Sequence, residues 1–176
     1  PYTTLFRSLG REENVTFIIG NMYIGGCSLE RHWNNALDNK AAYEYRKIGK
    51  DGILRETKGV TLQTAITDEN WDYISLQQNS GNSGKIETYF PYLPNLLAYV
   101  KKYATNPKVK YMFHETWAYE SKSPHEDFVK YNKDQNTMYQ AIVKTVKKAV
   151  KKVGIRIVIP SGTAIQNGRT SVIGDH

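Results

Sequence analysis

A single cysteine, Cys27, excludes an intrachain disulfide framework and any cysteine-rich zinc site. No apolar run approaches the ~18–20 residues that a membrane span requires. His32 and His125 show no metal-ligand spacing with other His or Cys residues, so no metal is expected. No Gly-rich loop opens a helix to cradle a phosphate, which argues against a flavodoxin-like cofactor binder, and no cofactor is expected. Internal repeats and low-complexity tracts are absent. What remains is 176 residues, a single-domain length, with 40% hydrophobic residues, enough for a packed core.

The opening PYTTLFRS has no basic or apolar region of a secretory signal and no strand or helix periodicity. Codon by codon it matches the translated end of a common sequencing adapter (CCC TAC ACG ACG CTC TTC CGA TCT). Residues 1–8 are therefore expected to be a non-native scar. Residues 9–176 are expected to form one domain, a fragment of a longer protein truncated at both ends. The compartment is left open, a secreted or periplasmic parent included.

Net charge is +7. Much of the excess sits in KTVKKAVKK, where Lys144, Lys147, Lys148, Lys151 and Lys152 fall opposite an apolar stripe of Met138, Ile142, Val146, Ala149, Val150 and Val153. Such a run is the solvated face of a packed helix, so nucleic acid is not an expected partner.

Four segments read as strands covered on both faces, as in a parallel sheet: VTFIIGN (15–21), WDYISLQQ (71–78), VKYMFHE (109–115) and IRIVIPS (155–161). Helical stretches lie between them. SLERHWNNALDN starts with a Ser28 N-cap, TLQTAITDEN is short, YFPYLPNLLAYVKKYAT ends before Asn106-Pro107, and the longest runs from about Asp134 to Val153 and stops at Gly154. YEYRKIGKDGILRET has strand-like flanks around Gly49–Gly52 and predicts an antiparallel hairpin beside the main sheet. The alternation predicts an α/β three-layer αβα sandwich with a mainly parallel sheet and a small hairpin insertion. Ligands of such sheets bind at the carboxyl ends of the strands, where the polar loops of this sequence collect.

IIGNMYIGGCSLERHWNNA, WDYISLQQNSG, HETWAY and VIPSGTAIQNGRTS together resemble the SGNH (GDSL-like) hydrolase superfamily. Within it they are similar to a branch of unknown function common in metagenomic bacterial proteins, over about residues 14–176. The resemblance implies an esterase with a Ser nucleophile in a G-D/N-S block and an Asp-x-x-His pair. It also implies an oxyanion hole built from a Gly N–H and an Asn or Gln amide. No G-D/N-S block precedes the first strand and no Asp-x-x-His pair occurs at the end, so no catalytic triad residue is assigned within this chain. Gly26 matches the oxyanion Gly, against the bland reading of a plain turn. Gln77 and Gln78 occupy the amide block, with Asn79 left open and strand-end capping as the structural alternative. His114, Trp117, Gln166 and Arg169 are expected to contact substrate, with simple packing as the rival reading. Ser28 is read as an N-cap, since GCSLE is not a G-x-S-x-G elbow. Ser161 could hydrogen-bond a sugar or carboxylate substrate.

The expected partner is a small-molecule or carbohydrate ester, the sugar resting on analogy and on aromatic loops. A noncatalytic carbohydrate-binding or structural domain of the same fold is the alternative.

Overall fold

The computed structural model describes residues 15–172 and 174, so the adapter-like residues 1–8 lie outside the described residues. The protein is mixed α/β. Among the described residues it builds two three-stranded sheets, one antiparallel and one parallel.

The antiparallel sheet is β1 (Ile19–Tyr23), β2 (Tyr43–Ile48) and β3 (Leu54–Val60), in that order. Its β2–β3 hairpin turns where the sequence predicts. The Gly52 N–H reaches the Gly49 carbonyl at 2.9 Å, and Gly52 adopts φ +72, a conformation glycine takes without a Cβ penalty.

β1 departs from expectation. The predicted strand at 15–21 is observed as Ile19–Tyr23, and it pairs antiparallel with β2 instead of joining the parallel sheet. Close packing at Gly20 accompanies this pairing. A Cβ there would stand 2.8 Å from the Trp71 ring and 3.1 Å from that of Tyr45, so β1 lies flat on the small core of Tyr45, Val60 and Ala65 with Met22 and Trp71 beside it.

The parallel sheet is β4 (Tyr73–Gln77), β5 (Lys110–His114) and β6 (Ile157–Ile159), with β5 central. Its register aligns Gln77 with His114 and His114 with Ile159, so the three carboxyl ends lie side by side. The other predicted strands, at 71–78, 109–115 and 155–161, are these three.

The helices follow their sequence signals. α1 (Leu29–Leu37) starts at Ser28, whose side chain accepts the Arg31 N–H at 3.2 Å, so the N-cap reading of Ser28 holds. α2 (Leu62–Asp68) is capped by Thr61 in the same way. After β4 come the single turn α3 (Ser80–Ser83) and α4 (Tyr92–Tyr103); α5 (Gln135–Val153) precedes β6 and α6 (Ser161–Arg169) follows it.

α5 begins at Asp134, which accepts from the Thr137 N–H, and ends at Gly154 in the left-handed conformation. Its buried stripe is Met138, Ile142, Thr145, Val146, Ala149 and Val150, and the five lysines are exposed. Leu93, Leu96 and Leu97 of α4, Phe113 of β5 and Leu29 of α1 join it in the main core, together with Tyr89, Phe128 and Tyr131. No described helix is long and apolar enough to cross a membrane.

α1 is tied to β2 through Tyr43, which is 1% exposed. Its hydroxyl accepts from Asn35 Nδ2 at 3.3 Å and lies 2.8 Å from His32 Nδ1, with the His32 ring stacked on it. The hydroxyl can accept from the amide and still donate to an unprotonated Nδ1 of a neutral ring. Burial, with Arg31 adding repulsion, lowers the His32 pKa from 6.5 to about 4.

The unfolded chain thus binds a proton between these pH values that the folded one refuses. The stabilising contribution is complete above pH 6.5 and is lost as pH falls through about 4. Melting temperature should therefore drop between pH 6.5 and 4 more steeply in the native protein than in His32→Gln. Parallel curves would contradict the assignment.

Candidate functional site at the strand carboxyl ends

The aligned ends of β4, β5 and β6 carry Gln77, His114 and, just past β6, Ser161. Gln77 Oε1 lies 2.8 Å from His114 Nδ1, and His114 Nε2 lies 2.8 Å from Ser161 Oγ. A carbonyl oxygen only accepts, so Nδ1 carries the proton and Nε2 is left to accept from the serine hydroxyl. His114 is buried, which lowers its pKa and favours the neutral ring. Trp117 meets the imidazole edge-on, with ring centroids 6.4 Å apart.

α6 is seated on this edge by two contacts from the end of β5. Glu115, buried at 5% exposure, accepts from both the Thr163 N–H (3.0 Å) and the Thr163 hydroxyl (2.8 Å). A carboxylate there complements the positive end of the helix dipole. The Glu115 carbonyl takes the Gly162 N–H at 3.0 Å. At Gly162 a Cβ would stand 2.2 Å from the Thr116 carbonyl, so only glycine permits this approach. Ser80 and Thr116 join their hydroxyls at 3.0 Å beside it.

β4 ends on a second cluster. Gln78, 1% exposed, accepts the N–H groups of Leu29 and Asn79 at 3.0 Å each. Its amide donates to the Thr88 carbonyl and hydroxyl at 3.1 and 3.2 Å. Both amide hydrogens are thus engaged, and the side chain fixes the start of α1 to the β4 end.

Asn79 reaches across to the loop after β1, where its Nδ2 donates to the Gly26 carbonyl at 3.1 Å. Gly26 is exposed at φ +63. Asn79 Oδ1 is buried with no hydrogen-bond partner among the described residues.

Six of the predicted site residues thus fall into two clusters, with Gln77, His114 and Trp117 in one, and Gly26, Gln78 and Asn79 in the other. Gln166 and Arg169 lie further along α6. Gln166 Nε2 donates to Gln135 at 3.3 Å, and Arg169 donates to the Ala118 carbonyl at 2.9 Å. The amide oxygen of Gln166 is buried without a partner among the described residues. The sequence reading did not link Ser161 to His114, nor Glu115 to the α6 N-terminus. Both links join strand ends that are neighbours only once the register is known. Among the described residues, no group of three or more His, Cys, Asp or Glu side chains could hold a metal ion.

The fold and this edge define an α/β protein with its polar groups gathered where parallel sheets hold ligands. The chain belongs to the DUF4886 family, a domain of unknown function whose model matches residues 3–176. It is similar to the crystal structure of a DUF4886 family protein from Bacteroides uniformis ATCC 8492, with 51% identity and a TM-score of 0.93. That match covers 96% of this chain and 65% of the solved one, so the chain spans about two thirds of that relative's length. Comparison with curated proteins finds no match.

Proposed function

We propose that the parent protein is an SGNH-type ester hydrolase that removes acyl groups from an acylated carbohydrate, with its oxyanion hole formed by the Gly26 backbone and the Asn79 amide. The observation that carries this reading is the 3.1 Å contact between Asn79 and Gly26, which are 53 residues apart in the chain. It brings together the two blocks that, in the SGNH resemblance, supply the oxyanion donors.

Asn79 is preferred to Gln78 because the Gln78 amide already has two acceptors. It is preferred to Gln77 because that residue faces His114. One Asn79 amide hydrogen binds Gly26 and the other is available to a developing oxyanion.

The nucleophile and the Asp–His pair are assigned to sequence outside these 176 residues. The greater length of the solved relative supports that assignment. The 176 residues alone are expected to be inactive, and residues 1–8 to be foreign to the gene.

Independent long reads across the gene test this reading. A G-D/N-S block within ~30 residues upstream of Val15, in the span of one strand and one helix, together with Asp-x-x-His downstream, supports the hydrolase. Absence of both blocks would favour the noncatalytic carbohydrate-binding module. PYTTLFRS joined to the same coding sequence in libraries prepared without that adapter would overturn the scar assignment.

A further inference from the structure

We propose that Ser161 is a second reactive serine, deprotonated by His114 and oriented through Gln77, that accepts an acyl or phosphonyl group from an activated donor independently of the hydrolase site. A nucleophile, a base and an orienting group in hydrogen-bond sequence are the structural signature of an activated hydroxyl. Here the sequence runs Ser161 Oγ, His114, Gln77 Oε1, with both separations 2.8 Å. The strand register sets the row, because Gln77 and His114 are cross-strand partners and Ser161 follows two residues after Ile159. Gln77 is exposed and Ser161 half-buried, while the His114 ring between them is buried. Burial keeps the His114 ring neutral, which leaves Nε2 as an acceptor.

The step balances without a further reagent. Ser161 Oγ bonds to the carbonyl carbon or phosphorus of the donor, and the bond to the leaving group breaks. The hydroxyl proton passes to His114 Nε2 and from there to the leaving group.

The first-turn amides of α6 do not help further, since Gly162 N–H binds the Glu115 carbonyl and Thr163 N–H binds the Glu115 carboxylate. With those two donors engaged, the pair is suited to taking a group and holding it, more than to rapid turnover.

The test treats the full-length protein with a fluorophosphonate and locates the adduct by peptide mass spectrometry. An adduct on Ser161 is expected, forming about 100-fold more slowly in His114→Gln, as for loss of a general base. It should form several-fold faster in Gln77→Glu, where a carboxylate stabilises the imidazolium. Ser161 left unmodified in the folded native protein would overturn the proposal, as would an adduct forming equally fast in His114→Gln. Should His114→Gln fail to melt cooperatively, the exposed Gln77→Ala decides: about 10-fold slower labelling supports the orienting role, and an unchanged rate refutes it. The adduct's position separates this inference from the hydrolase reading, whose serine lies elsewhere.

Discussion

Asn79→Ala in the full-length protein is expected to lower kcat on an activated acetyl ester about 10²–10³-fold, the usual effect of losing one oxyanion donor. KM should change little, because the donor acts on charge that develops only in the transition state. The fold should survive, since the native side chain makes one bond to the Gly26 carbonyl and leaves its oxygen without a partner among the described residues. Gln77→Ala is the companion measurement, because Gln77 ends the same strand. A loss in Gln77→Ala matching the expected Asn79 effect, with Asn79→Ala near native, would move the donor to Gln77. A change of only a few-fold in both variants would make this strand end structural.

Gln78→Ala should act on stability instead. Its amide serves the Leu29 and Asn79 N–H groups and the Thr88 carbonyl in a site that is 1% exposed. Each buried group left unsatisfied costs about 1–3 kcal/mol, which puts the loss for these three at about 3–9 kcal/mol. Against a domain's whole stability of about 5–15 kcal/mol that is a large fraction. In a protein of this size, at about 2–4 °C per kcal/mol, it corresponds to a fall of at least about 6 °C in Tm. A fall of less than about 3 °C in a thermal melt would mean that water replaces the side chain without penalty.

Helices were the most legible part of the sequence, because each carries local signals. Ser28, Thr61 and Asp134 accept from the N–H three residues on, and Gly154 closes α5. The lysine-rich run was legible for the same reason, since its apolar and charged positions repeat with helical period.

The partner of β1 was not. VTFIIGN is nearly continuous in hydrophobicity, which alone does not say which neighbour takes its hydrogen bonds. The packing of Trp71 on Gly20, 51 residues away in the chain, accompanies the pairing of β1 with β2 and could not be read locally.

The site divided along the same line. That Gln77, Gln78 and Asn79 gather at a strand end was readable from QQN after an apolar run. Their separate tasks depended on partners 37, 49 and 53 residues distant in sequence. Alternation along β4 runs unbroken through exposed Gln77 to buried Gln78, so a period of two places Gln78 inward but does not name the groups it meets there.

The most direct test of the account is steady-state hydrolysis of an activated acetyl ester and of an acetylated oligosaccharide by the full-length protein, with Asn79→Ala run in parallel. The account predicts turnover of both substrates by the native protein, reduced about 10²–10³-fold by the substitution while cooperative melting is retained. A native protein that melts cooperatively yet hydrolyses neither substrate faster than Asn79→Ala would contradict it.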